Sequence, residues 1–141
     1  MTNDGANALA IAAKRSGVFR APARIEVLRA TATQGGFLWL ELPLGAVTDK
    51  TQFFALCAKQ LKLPSYFGGN WDALADCVRD FNWLNGKGYV LHLSDGEKFA
   101  KAAADDHQTA LDVLAEAAEF WKGKGTPFVV FVDGARDLPA F

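Results

Sequence analysis

Three short, almost uninterrupted apolar runs limit the folds open to this chain of 141 residues. They are residues 37–42, 89–93 and 128–132, and each is typical of a β-strand that is buried on both faces. Segments with helical spacing of apolar residues lie between them. Buried strands separated by helices favour parallel pairing through right-handed crossovers. The sequence therefore predicts an α/β fold in which helices cover a small three-stranded parallel sheet.

Length, charge and cysteine content narrow the class of protein. A chain of 141 residues fits one domain, and a net charge of −1 argues against a general nucleic-acid binder. The apolar run at residues 8–13 is too short for a membrane span, and basic residues follow it, which argues against a secretory signal. Cys57 and Cys77 are predicted to be buried free thiols. We therefore expect a cytoplasmic protein, monomeric when free, with no direct contact to nucleic acid or membrane.

The apolar runs also suggest a division of the chain. Residues 1–16 are predicted to be a flexible tail, and residues 17–36 an N-terminal extension with a short extended piece and one short helix. Residues 37–132 contain the three predicted strands and form the main domain. Residues 133–141 are predicted to be a C-terminal tail.

Residues 63–81 contain a loop that leads directly into a helix. Pro64 ends the preceding helix, and Gly68 and Gly69 permit backbone angles that other residues avoid. Asn70 is a favourable N-cap, so the helix is predicted to begin at Trp71. Similar signals place other helix starts: Asp49 and Gln52 have the spacing of a capping box. Asp105 and Asp106 are predicted to cap a helix over residues 107–121.

The helix that begins at Trp71 has two different faces. The apolar face, with Cys77 at its margin, contains Trp71, Leu74, Val78 and Phe81. The opposite face contains Asp72, Asp76 and Arg79, with Asp80 close by. Acids on a helix surface commonly serve solubility, and Asp72 also complements the helix dipole. Alternatively, these acids and the aromatic side chains of Tyr66 and Phe67 form one patch that suits a basic, phosphate-binding cleft.

This segment resembles the loop and second helix of the barstar-like family, intracellular inhibitors of bacterial ribonucleases. The resemblance is carried by the run Leu63-Pro64-x-Tyr66-Phe67-Gly68-x-Asn70-x-Asp72-Ala73-Leu74-x-Asp76-Cys77. It is continuous over about twenty positions and is far more specific than a short motif. Weaker similarity in the order of elements extends over residues 37–132. The resemblance implies a compact α/β domain that plugs a ribonuclease active site with acids in place of RNA phosphates.

The family resemblance and the polar face of the helix together give a set of candidate partner-binding residues. The set is Tyr66, Phe67, Gly68, Asn70, Asp72, Ala75, Asp76, Arg79, Asp80 and Glu116. Tyr66 and Asp72 match an interface tyrosine and aspartate, and Asp76 matches the aspartate that lies deepest in the enzyme's cationic site. Glu116 matches a further acid at the rim, although a gap placed differently selects Glu119.

Three positions depart from the type member of the family. That protein has a tryptophan where this chain has Ala75, a threonine where it has Arg79, and a tryptophan where it has Phe81. Arg79 places a positive charge where a basic enzyme is expected to approach. It either pairs with Asp76 or Asp72, or faces an acidic group on a different partner.

Motifs of enzyme chemistry are missing from the sequence. It contains no Walker-type phosphate loop, no Gly-x-Ser-x-Gly elbow, no His-Glu-x-x-His pair and no close Cys/His cluster. His92 lies inside a strand and is interpreted as a packing residue. Asp72 and Asp76 could hold a divalent cation only with further ligands. We therefore expect no enzyme, no cofactor and no metal.

Two functions follow from the sequence. The first is an intracellular stoichiometric inhibitor that plugs the cationic active site of a basic ribonuclease. The alternative is a toxin-immunity or interaction domain of the same fold that binds a toxin without ribonuclease activity or a regulatory protein.

Overall fold

The sheet has four parallel strands, one more than the sequence predicts. The computed structural model describes residues 15–141, and the strands are β1 (Gly17–Arg20), β2 (Leu38–Pro43), β3 (Tyr89–Ser94) and β4 (Phe128–Val132). Their order across the sheet is β1-β4-β3-β2. The prediction of three strands was wrong because β1 has only four residues, and its partner is the distant β4, with Val18 opposite Val130.

Within the described residues, five helices connect or flank the strands. They are α1 (Ile25–Gln34), α2 (Lys50–Gln60), α3 (Trp71–Val78), α4 (Glu97–Ala102) and α5 (Ala104–Gly123). The capping box of α2 is confirmed, because the Asp49 carboxylate accepts the Gln52 N–H at 2.8 Å. The Gln52 amide oxygen in turn accepts the Thr48 N–H at 2.7 Å. Local side chains therefore define where α2 begins.

Helix α5 begins earlier than predicted. Its N-cap is Ala103, which has no side-chain hydrogen bond, so Asp105 and Asp106 lie in the first turn instead of capping the helix. Acids in the first turn stabilise the helix, because they interact favourably with the positive end of its dipole. The predicted start at residue 107 was wrong because these acids act within the helix and not before it.

One face of the sheet is covered by α2, α3 and α5. The helices supply fully buried side chains such as Phe53, Leu74 and Leu114, which pack in one cluster with Leu91 of β3 and Phe128 of β4. Burial of this apolar surface provides most of the driving force for folding. The cluster also fixes the direction in which the remaining faces of these helices point.

The opposite face of the sheet is covered by α1 and by the end of the chain. Leu28 and Ala32 of α1 pack against Val90, Val129 and Phe131. The ring of Phe141 also contacts the ring of Phe131, at a centroid distance of 5.2 Å. Residues at both ends of the described chain therefore shield apolar strands that would otherwise face water.

The outer edges of the sheet are partly occupied. At the β2 edge, the Gln60 side chain donates to the Glu41 carbonyl at 2.9 Å, and Pro43 has no N–H to offer. At the β1 edge, the Arg20 N–H donates to the Pro139 carbonyl at 2.8 Å, and Arg20 forms a parallel bridge with Ala140. The C-terminal residues therefore pair with the sheet.

Both cysteines are buried free thiols, as predicted. Burial raises the pKa of the Cys57 thiol well above its usual range. The predicted N-terminal tail lies outside the described residues except for Arg15 and Ser16, and the Ser16 hydroxyl accepts the Phe128 N–H at 3.0 Å. Across residues 15–141, no helix has the length and apolar character that crossing a membrane requires.

Candidate protein-binding site

The loop before α3 is anchored on one side and open on the other. The Phe67 ring packs edge-on against Phe54 at a centroid distance of 6.1 Å, and the Phe67 N–H donates to the Pro64 carbonyl at 2.9 Å. Gly69 has a φ of 67°, a conformation that suits glycine. The Tyr66 side chain, by contrast, is 73% exposed. The loop therefore holds Tyr66 towards solvent.

Helix α3 has the two faces that the sequence predicts. The Asn70 side chain accepts the Ala73 N–H at 2.8 Å, which confirms the predicted cap. Leu74 and Val78 are fully buried. The helix ends at Val78, three residues before the predicted last apolar residue, Phe81. Phe81 still reaches the core because the chain turns there with a φ of 50°.

The polar face of α3 and its flanks point into solvent. We define the loop–helix surface as Tyr66, Gly68, Asn70, Asp72, Ala75, Asp76, Arg79 and Asp80. All of these residues are exposed except Ala75, which is half-buried. Phe67 is also half-buried, because its ring packs against Phe54 beneath this surface. Carboxylates on such a surface are ready-made acceptors for Arg and Lys side chains.

Arg79 makes two contacts within its own helix. Its Nη2 lies 3.0 Å from Oδ1 of Asp76, and its Nε donates to the Ala75 carbonyl at 3.1 Å. Of the pairings that the sequence left open, the structure shows the one with Asp76. The Asp76 side chain is nevertheless 80% exposed, so it stays open to further partners.

The frame behind the surface is provided by α5. The indole N–H of Trp121 donates to the Val78 carbonyl at 2.8 Å, which satisfies a carbonyl at the end of α3. Ala117 and Ala118 of α5 belong to the same buried cluster as Leu74 and Val78. Glu116 and Glu119, the two candidates for a rim acid, are both exposed on α5. The choice between them stays a prediction.

His92 has partners that sequence reasoning did not identify. Its Nδ1 lies 3.0 Å from Oε1 of Glu41, and its Nε2 lies 2.8 Å from Oδ1 of Asp133. Glu41 also accepts the Trp39 indole N–H at 2.6 Å. The sequence shows only that Glu41 interrupts an apolar run and that Asp133 directly follows a predicted strand; the register that sets Glu41 opposite His92 is known only from the structure.

The environment of His92 favours a structural role. Burial lowers its pKa, but hydrogen bonds and charge from Asp133 and Glu41 outweigh burial and raise the pKa above its usual value. Carboxylates occupy both ring nitrogens, so neither nitrogen is open to a substrate or a metal. Among the residues that the structure describes, no cluster of His, Cys, Asp and Glu side chains is suited to hold a metal ion.

A protein-family model described as Barstar (barnase inhibitor) matches residues 37–133, well over half of the 141 residues. The chain belongs to the barstar family. A comparison with curated proteins found no match. The barstar match begins just before β2 and ends just after β4, so it contains the whole loop–helix surface and α5. Strand β1 and helix α1 precede it and add a fourth strand and a cover for the second face of the sheet.

Proposed function

We propose that this barstar-family protein is an intracellular, stoichiometric inhibitor of a basic ribonuclease and not itself an enzyme. The observation that carries the proposal is the row of exposed carboxylates on α3, Asp72, Asp76 and Asp80, beside the exposed Tyr66. We place Asp76 at the centre of the interface, with Asp72 and Tyr66 beside it and Glu116 at the rim. Family membership supports binding to a protein partner.

The chemistry of a ribonuclease active site explains why carboxylates suit it. Such a site binds RNA phosphates through cationic side chains, and carboxylates offer the same kind of acceptor to Arg and Lys. Tyr66 adds a large, amphipathic contact area with few rotatable bonds. Because α3 is fixed to the core through Leu74 and Val78, little conformational entropy is lost when the surface is covered.

Electrostatic attraction predicts that the rate of association with the enzyme depends on salt concentration. The whole chain has a net charge of −1, so long-range attraction to a basic enzyme comes from the local row of acids on α3. We expect the association rate to fall as salt is raised, because exposed charges are screened over roughly 10 Å at 0.1 M ionic strength. The dissociation rate reports mainly on contacts buried in the complex and is expected to change less.

The proposal is tested by titrating barnase, the enzyme named in the family description, and other small basic ribonucleases during cleavage of a fluorescent RNA. The wild-type protein should abolish activity at a one-to-one ratio. Truncating one member of a buried charge pair weakens a complex by about 2–5 kcal/mol, a general range to which barnase–barstar itself contributes, or roughly 30-fold to several thousand-fold. The Asp76→Ala variant should show a loss in this range.

The matched control removes an acid from the other side of the sheet. Glu26 is exposed on α1, so Glu26→Ala changes the net charge by the same amount as Asp76→Ala. The control should inhibit as wild type does. Equal inhibition by Asp76→Ala and wild type would show that the site is misplaced, and absence of inhibition for every enzyme would refute the ribonuclease proposal.

The alternative function uses the same surface against a different protein. Ala75 and Arg79 differ from the family's type member, and the Arg79–Asp76 ion pair lies within the surface, towards the C-terminal end of α3. These differences favour a distinct partner, such as a toxin without ribonuclease activity. A captured protein that requires Asp76 for binding but does not cleave RNA would select this alternative.

We further propose that the free protein is a monomer in a bacterial cytoplasm, without a cofactor and without direct contact to nucleic acid or membrane. The two buried free thiols support a reducing compartment. Size-exclusion chromatography with light scattering measures the free mass. A dimer at micromolar concentration would contradict the monomer.

A further inference from the structure

We infer that Arg79 is a specificity-determining residue, and that the cognate ribonuclease carries an acidic group beside its cationic active site to receive it. The inference rests on the proposed function and adds the chemistry of the partner. It begins from the contacts of Arg79, which is the C-cap of α3 and pairs with Asp76, the residue that we place at the centre of the interface.

The structure holds the Arg79 guanidinium close to Asp76. Nη2 is 3.0 Å from the Asp76 carboxylate and Nε is 3.1 Å from the Ala75 carbonyl, so the side chain lies along the exposed side of α3. The small side chain of Ala75, one turn before Arg79, leaves this path open. Any enzyme that covers Asp76 therefore also covers the Arg79 guanidinium.

A partner that covers Arg79 must also provide hydrogen-bond acceptors for the N–H groups of its guanidinium. A guanidinium has five N–H donors, and two of them are engaged by Ala75 and Asp76. The others have no partner among the described residues, and the side chain is 42% exposed, so these donors are open to water. When the partner displaces that water, donors left unpaired would weaken the complex. The partner is therefore expected to supply acceptors at this point.

Charge determines what those acceptors are. A purely cationic enzyme surface would repel Arg79 inside the desolvated interface, where charges are poorly screened. A carboxylate on the enzyme would remove that repulsion and can receive the planar guanidinium through two parallel hydrogen bonds. Arg79 thus rejects basic enzymes that lack such an acid and selects those that have one, which combines repulsion and attraction in one residue.

Stability of the free protein does not explain the presence of Arg79. Exposed ion pairs such as Arg79–Asp76 contribute little to folding. Replacement of Arg79 is therefore expected to leave the fold intact, which circular dichroism verifies. This property makes the residue suitable for a binding test.

The test compares wild type, Arg79→Ala, Arg79→Lys and Arg79→Glu against a panel of purified basic ribonucleases that includes barnase. On the enzyme that wild type inhibits most tightly, we expect at least a tenfold loss for Arg79→Ala and a larger loss for Arg79→Glu. Arg79→Lys keeps the charge but not the paired donors, so its loss should be intermediate. Lys101→Ala, which removes an exposed charge on α4, is the control for net charge.

A double-mutant cycle identifies the acid. Carboxylates of the enzyme close to its active site are replaced one at a time, and one of them should cause no further loss once Arg79 is alanine. Equal or tighter inhibition by Arg79→Ala overturns this inference alone, provided that Asp76→Ala is still weakened. Failure of wild type to inhibit any enzyme overturns the proposed function as well.

Discussion

Replacement of His92 by phenylalanine is expected to destabilise the protein in a pH-dependent way. The His92 side chain links three strands, because Glu41 belongs to β2, His92 to β3, and Asp133 follows β4. Phenylalanine has a ring of similar size and can keep the packing against Trp39, whose ring centroid lies 6.1 Å from that of His92. The substitution therefore removes mainly the charge and the two hydrogen bonds.

The size of the effect follows from the exposure of the partners. A hydrogen bond to a charged group contributes about 1.5–3 kcal/mol, and His92 makes one with each of two carboxylates. The side chains of Glu41 and Asp133 are 27% and 36% exposed, so water compensates part of the loss when the ring is replaced. Glu41 also keeps its contact with Trp39 and lies 3.8 Å from Arg29. We expect a loss of about 2–3 kcal/mol in the free energy of unfolding near pH 5.5.

The pH dependence has a definite sign. The pKa of His92 is raised in the folded protein, so the folded state holds the proton more tightly than the unfolded state. The stabilisation is complete below the unfolded pKa of about 6.5 and is lost as the pH rises through the folded pKa. The difference between wild type and His92→Phe should therefore be largest near pH 5.5 and shrink towards pH 9. Urea unfolding at several pH values from 5.5 to 9 measures it.

The second histidine of the chain provides the control. Burial lowers the pKa of His107, and the charge of Asp137 offsets only part of that shift. A lowered folded pKa gives stability that is present above the unfolded value and lost as the pH falls. Wild type should therefore lose stability relative to His107→Phe between pH 7 and pH 5, opposite to the His92 comparison. A His92→Phe difference that is independent of pH would refute the role of the imidazolium.

Three further changes test local features of the fold. Asn70→Ala should lower the free energy of unfolding by about 1 kcal/mol, because the cap on the Ala73 N–H is lost, and Asn70→Asp should restore it in urea titrations. Deletion of Phe141 should reduce stability by about 1 kcal/mol, because this half-buried ring covers Phe131, and calorimetry measures the change. The Cys57 thiol should react with a thiol reagent only as fast as the protein unfolds, since it is 1% exposed; rapid labelling of the native protein would contradict its burial.

The sequence predicted those parts of the fold that depend on local patterns. The three apolar runs became β2, β3 and β4, and Asn70 and Asp49 cap α3 and α2 as expected. Strand β1 could not be recognised as part of the sheet, because only Val18 and Phe19 are large and apolar in it. Its pairing with β4 brings together residues more than a hundred positions apart.

The candidate site and its surroundings likewise contain features that local sequence patterns predict and contacts that depend on residues far apart in the chain. The two faces of α3 follow from helical periodicity, which the burial of Leu74 and the exposure of Asp76 confirm. The contacts of His92 could not be predicted, because Glu41 lies 51 positions before it and Asp133 lies 41 positions after it. Only the parallel register of β2, β3 and β4 brings these charges together.

The two partly occupied edges of the sheet bear on how the protein behaves at high concentration. Exposed strand edges are templates on which other chains can add strands and grow into aggregates. A strand approaching β2 would find the Glu41 carbonyl already bonded to Gln60 and no N–H at Pro43. A strand approaching β1 would find the Arg20 N–H already bonded to Pro139. These partly occupied edges therefore lower the risk that the protein polymerises by adding strands at high concentration.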